Sequence, residues 1–223
     1  MSLNLQQLLM TLMTEINSGL GFLNVSIIQG TTGSIIPDYA LAKTLAYIFI
    51  SSDLLLYAGI VAVIAVLGAY YRKTNIDILA GVLLKVSAAF LYLSVVFNLF
   101  GLILGFDFLA SSTVTLFEGS YTFSMFSQVL KIFMFLILGG IYALFPPVIL
   151  SKMRVLELPV LLQICSALCS TIISSSNFAL LLLALEGFSL TLYVMTALGR
   201  SYGGVTASVK YFAFGTLGSV FLF

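Results

Sequence analysis

The sequence predicts an all-α integral membrane protein of about six transmembrane helices, with its N-terminus on the outer side. Three observations predict it. Apolar residues make up 61% of the chain and charged residues 8%, against roughly a quarter charged in soluble domains. The apolar runs last about twenty residues or more, the length of a helical span, whereas transmembrane strands would be about ten residues of alternating polarity. Basic residues fall in alternate connections: Arg72 and Lys73 after the first span, Lys152 and Arg154 after the third, Arg200 after the fifth. By the positive-inside rule those connections face the matrix or cytoplasm, which puts the N-terminus outside.

Residues 1–43 precede the spans. Leu5, Leu8, Leu9, Leu12, Met13 and Ile16 recur at helical spacing beside Gln6, Gln7, Thr11 and Glu15, predicting an amphipathic segment on the outer side. Gly19 to Pro37 reads as an irregular tether. Residues 44–156 hold three predicted spans, Thr44 to Tyr70, Ile78 to Leu104 and Phe123 to Leu144. Residues 157–223 hold three more: Leu158 to Ile173, Phe178 to Leu198 and Val205 to Phe223. Polar and helix-breaking runs separate them, among them Arg72-Lys73-Thr74-Asn75, Pro146-Pro147 and Ser174 to Asn177. Ser201-Tyr202-Gly203-Gly204 lacks the lysine and spacing of a phosphate loop and reads as a plain connection. Asp107 and Glu118 fall in an outer loop.

Composition removes whole classes of chemistry. With no histidine and two cysteines, no zinc or haem motif can be built and histidine-based acid–base catalysis is excluded. Cys165 and Cys169, four apart, share one helical face and read as packing residues. A net charge of +1 without a basic cluster argues against a nucleic-acid partner. The first basic residue is Lys43 and Glu15 lies before it, so no removable targeting segment is expected. For a mitochondrial protein that implies synthesis inside the organelle.

Proton chemistry must therefore use Lys, Glu or Asp, and five such residues lie inside spans. Glu186 is near the middle of the fifth, where a charge costs roughly 2.5–3.5 kcal/mol on insertion scales and is usually kept for ion or proton movement. Lys210, in the sixth, is the second proton-transfer candidate beside it. Lys131, eight residues into the third span, is a further candidate. Asp53 and Lys85 lie nearer span ends, where snorkelling or a structural pair accounts for them. Gly101 and Gly105, like Gly215 and Gly218, have the spacing of small residues at close helix contacts.

The run Leu185-Glu186-Gly187-Phe188-Ser189-Leu190-Thr191-Leu192-Tyr193, then Arg200, then Ala207-Ser208-Val209-Lys210-Tyr211-Phe212-Ala213-Phe214-Gly215, closely resembles subunit 2 of NADH:ubiquinone oxidoreductase, respiratory complex I. Leu156-Glu157-Leu158-Pro159 resembles the start of that family's fourth helix, and Phe123-Ser124 with Lys131 its third. The resemblance covers residues 157–223 most closely and extends through 119–156. It implies an antiporter-like subunit of about fourteen helices containing two inverted five-helix repeats, of which residues 157–223 would begin the first. It further implies that Glu186 and Lys210 match a conserved glutamate and lysine of a proton half-channel.

The chain departs from the family in length, which leads to the expectation that it is the N-terminal part of a split subunit, completed by a second polypeptide, rather than a shortened form. Other expected partners are the remaining complex I membrane-arm subunits and lipids. No cofactor is expected on this chain; NADH, FMN, iron–sulfur clusters and ubiquinone would serve the complex elsewhere. The resemblance implies the mitochondrial inner membrane. Two other readings use the same charges: a fragment of a sodium/proton antiporter, or a purely structural membrane subunit.

Overall fold

The computed structural model describes residues 25–29, 39–70, 76–106, 109, 112–117, 119–145, 156–198 and 202–222. Among the described residues six helices form a bundle: α1 (Tyr39–Tyr70), α2 (Ile76–Leu104), α3 (Met125–Leu144), α4 (Leu158–Ser174), α5 (Phe178–Ala197) and α6 (Tyr202–Leu222). By length and composition, Thr44–Ala69, Asp77–Leu104, Met125–Leu144 and Phe178–Ala197 are able to cross a membrane, while Leu158–Ser174 is apolar but shorter. The protein is thus an all-α membrane bundle. The amphipathic segment expected before Gly19, and the basic residues that set the orientation, lie outside the described residues.

Helix ends follow local chemistry. Ser124 caps α3 in a reciprocal capping box with Ser127, which satisfies two amide donors that the first turn leaves unpaired. Asn177 caps α5 by accepting from the Ala179 amide. Pro159 stands in the first turn of α4, where its missing amide hydrogen costs nothing. The Tyr142 hydroxyl donates to the Pro159 carbonyl at 2.9 Å, tying the end of α3 to the start of α4.

Two expectations are corrected. The tether between Gly19 and Pro37 contains a strand, β1 (Val25–Gln29), which pairs antiparallel with β2 (Ser112–Leu116), and β2 pairs with β3 (Tyr121–Phe123). Ile27 of this strand pairs with Val114, 87 residues away, a pairing that local sequence could not announce. Tyr202-Gly203-Gly204, read as a connection, is the first turn of α6. Glycines weaken a helix mainly in its interior, and the first turn lacks intrahelical amide bonds in any case.

The sheet caps one end of the bundle. There it meets the start of α1, the end of α2, the start of α3 and the corner between α4 and α5, so the expected up-and-down alternation holds through those five helices. Leu45, Ala46, Phe49, Val114, Leu116 and Phe123 form a core cluster between sheet and α1. The β2–β3 hairpin is pinned to the α4–α5 corner by a bridge between Tyr121 and Ser175 and by the Ser176 amide, which donates to the Ser120 carbonyl at 3.0 Å. Its turn places Gly119 at φ +86°, a conformation that suits glycine.

Glycines set two helix contacts, the expected Gly101–Gly105 spacing in full and the Gly215–Gly218 spacing only at Gly215. A Cβ on Gly101 would stand 2.6 Å from Phe49 Cε1, and one on Gly105 2.5 Å from Leu45 Cδ1, so α2 lies directly on α1. Gly215 lets α6 close on the Tyr193 ring of α5, whereas Gly218 faces open space. Helix α4 packs against α1, α2, α3 and α5 and occupies the interior of the bundle.

Candidate functional site

Interior position explains the polar face of α4. Gln163, Ser166, Ser170 and Ser174 fall at helical spacing along one stripe and are all buried. Opposite Ser170, α1 presents Asp53 and α3 presents Lys131, and the three meet beneath the sheet. Lys131 Nζ donates to Asp53 Oδ2 at 2.8 Å, Tyr121 of β3 donates its hydroxyl to the same oxygen at 2.7 Å, and Ser170 donates to Asp53 Oδ1 at 2.5 Å. Lys131 is wholly buried and Asp53 is 7% exposed.

Aromatic rings flank the ammonium. The Lys131 ammonium lies 5.3 Å from the Tyr121 ring centre and 5.2 Å from that of Phe123, within cation–π range. Phe123 packs in turn on Phe49 with ring centres 5.3 Å apart. Burial, followed by the Asp53 carboxylate, holds the Tyr121 hydroxyl far above the usual tyrosine range, so it remains a donor. The cluster therefore joins α1, α3, α4 and β3 through one carboxylate.

Chemically, the pair can hold one labile proton. Its two neutralised arrangements, ammonium with carboxylate and amine with carboxylic acid, differ by transfer of a proton across a 2.8 Å contact. Tyr121 and Ser170 satisfy the carboxyl group beside it. Among the described residues no group of His, Cys, Asp or Glu could hold a metal ion.

Asp53, for which span position alone leaves snorkelling or a structural pair, pairs with Lys131. A signal for the pairing existed: Asp53 lies nine residues beyond Thr44 and Lys131 eight beyond Phe123, from spans that start on the same side. Opposite charges at matched depth in a bundle are natural partners. Tyr121 and Ser170 carried no such signal, because nothing local distinguishes them from other loop and helix hydroxyls.

Glu186 stands eleven residues before the end of α5 and Lys210 eight after the start of α6. The axial offset from their shared connection is therefore about 5 Å at 1.5 Å per residue, smaller than the roughly 10 Å that a later start of α6 would give. The early start of α6 at Tyr202 accounts for the difference. Even so, the two side chains form no ion pair among the described residues. Glu186 is half-buried beside Gly187, which packs on Leu168 of α4. Lys210 is exposed. The α6 stripe that faces α5 runs through Ser208, which donates to the Tyr193 carbonyl at 2.8 Å, then Tyr211 and Gly215. Lys210 lies on the flank of that stripe, one residue before Tyr211. Cys165 and Cys169 are free thiols lining an apolar pocket of about 260 Å³ with Met134 and Phe188.

No family model matches the chain. Over 49 residues, 22% of the chain, it is 43% identical to NADH-quinone oxidoreductase subunit N of Campylobacter lari, and that stretch is 10% of the relative's length. The likeness thus covers two or three helices' worth of sequence. It agrees, at the level of the enzyme complex, with the resemblance carried by Leu185 to Tyr193 and Ala207 to Gly215.

Proposed function

We propose that this chain is a membrane-arm subunit of a proton-translocating NADH:quinone oxidoreductase, of the subunit 2 type, and contributes part of a proton half-channel. The observation that carries the reading is the 43% identity over 49 residues to a subunit of such an enzyme within a chain that has four helices long and apolar enough to cross a membrane. The buried Asp53–Lys131 pair supports it, since ionisable groups retained inside a membrane bundle usually serve ion or proton pathways. Glu186 and Lys210 are the proposed transfer groups and Lys131 a further one. Lys210, exposed on the flank of α6, is placed to meet a neighbouring helix rather than Glu186 directly.

On this reading the chain takes part in an enzyme without a redox site of its own. NADH, FMN, iron–sulfur clusters and ubiquinone belong to other subunits, and the setting is an energy-converting membrane, specifically the mitochondrial inner membrane, with the sheet on its outer side. A second polypeptide carrying further helices is part of the same proposal.

Native-gel separation of gently solubilised membranes, with in-gel NADH oxidation and mass spectrometry of the band containing this chain, tests it. The expected result is co-migration with an NADH-oxidising assembly that also contains the complementing polypeptide. Migration in a small NADH-inactive assembly would overturn the assignment and leave an antiporter fragment or a structural subunit.

A further inference from the structure

Lys85 is a cation inside a membrane-length helix, and no described residue answers its charge. It lies nine residues beyond Ile76 in α2, about 13 Å along the helix axis, and its side chain is exposed. Among the described residues the ion pair is that of Lys131 with Asp53, and Lys85 takes no part in it. An ammonium at that depth in a membrane-length helix is unfavourable without a counter-charge. Side chains on a helix lean toward its N-terminus, so the stem of Lys85 carries the ammonium toward the end of the bundle opposite the sheet, where snorkelling would take it.

Beside Lys85 the surface is hollow. A groove of about 410 Å³ runs between α2 and the end of α3, within the roughly 300–1,000 Å³ typical of small-molecule sites. Gly81, Ala88 and Ala143 leave the space, and Tyr142 and Phe145 bound it at the far end of α3. Tyr142 is held in place by its bond to the Pro159 carbonyl. Apart from Lys85 the lining is almost wholly apolar. A single cation within an otherwise apolar groove matches a ligand with an anionic head and a hydrocarbon tail.

We propose that this groove binds an anionic phospholipid, with the phosphate on Lys85 and an acyl chain along Ala88, Ala89 and Tyr92. The acyl chain covers surface that would otherwise be poorly filled, and the headgroup supplies the missing counter-charge. A neighbouring transmembrane helix carrying a carboxylate is the competing occupant.

Photo-crosslinking in native membranes separates them. The probe is a phosphatidylglycerol with a photoreactive acyl chain, and labelled peptides are mapped by mass spectrometry in the assembled protein. Labelling should concentrate on residues 81–92 and 139–145, fall on addition of unlabelled phosphatidylglycerol, and resist the same amount of phosphatidylcholine. Lys85→Gln should reduce it about tenfold and Lys85→Arg should preserve it. If Lys85→Gln fails to accumulate, the wild-type competition alone decides. Equal competition by the zwitterionic lipid, or crosslinking of a photoreactive residue placed at Ala88 to another polypeptide, would overturn the proposal.

Discussion

Lys131 Nζ lies 2.8 Å from Asp53 Oδ2, and this contact joins α3 to α1 across 78 residues of sequence. Taking two charges out of water is costly, and mutual attraction together with the hydroxyl donors Tyr121 and Ser170 offsets that cost. Losing one partner is a different matter, because the other charge then stays buried and unpaired. Breaking such a pair typically costs about 3–5 kcal/mol. Asp53→Asn should therefore lower both the thermal midpoint of the assembled protein and its abundance in membranes. Asp53→Asn combined with Lys131→Met should recover part of the loss. Strictly additive losses in that double-mutant cycle would show that the two residues are not coupled.

Tyr121 offers a pH-dependent test. A tyrosine in the unfolded chain ionises near pH 10, whereas burial and then the Asp53 charge hold its proton to higher pH in the folded chain. The contribution is fully present below about pH 10 and is lost as pH rises above it, because the unfolded state alone releases the proton. Tyr121→Phe should lower stability at neutral pH by about 1.5–3 kcal/mol, the usual worth of a hydrogen bond to a charged group. It should also flatten the alkaline fall. Thermal midpoints of the two forms, measured at intervals from about pH 8 to pH 11, check both effects.

At Gly215, α6 lies directly against the Tyr193 ring of α5. A methyl group there would collide with the Tyr193 hydroxyl, and Tyr193 is fixed by edge-on packing against Tyr211 and Phe212 with ring centres 4.8 and 5.6 Å away. Gly215→Ala should destabilise the α5–α6 pair by about 1–3 kcal/mol, the range for overpacking, and Tyr193→Phe in the same chain should relieve part of it. Gly218→Ala, facing open space, serves as the control. Limited proteolysis at the α5–α6 connection reads the difference.

Glu186 is the proposed transfer group, so Glu186→Gln should lower the number of protons moved per electron while NADH oxidation and assembly persist. The comparison is made in sealed vesicles, with proton uptake and electron flux recorded together. An unchanged ratio would assign Glu186 a packing role beside Gly187 and Leu168. Lys210→Met, on an exposed flank of α6, should reduce the ratio without loosening the contact between Tyr193 and Gly215.

The pattern of what was readable follows from range. Helices α1, α2, α3 and α5 were legible because each is a continuous apolar run long enough to cross a membrane, and α4 and α6 as shorter or less apolar runs between polar breaks. The contacts at Gly101, Gly105 and Gly215 were legible because close helix packing demands a missing side chain at a regular spacing. Strand β1 was not, since five residues of mixed polarity become a strand only when β2 supplies the paired hydrogen bonds. The first turn of α6 was missed because Gly203 and Gly204 suggest a break, although a helix start tolerates them.

By itself, the sequence determined an apolar multi-pass helical protein without histidine, with charges at Asp53, Lys85, Lys131, Glu186 and Lys210 that a membrane interior makes conspicuous. Tertiary structure decided which of those charges meet. It joined Asp53 to Lys131, enclosed them with Tyr121 and Ser170, left Glu186 and Lys210 apart on adjacent helices, and left Lys85 at the surface. The reason is that burial cost belongs to each residue and can be read from its place in a helix. A counter-charge, in contrast, depends on the rotation and packing of a distant helix, set by contacts such as Gly101 on Phe49 and β2 on β3.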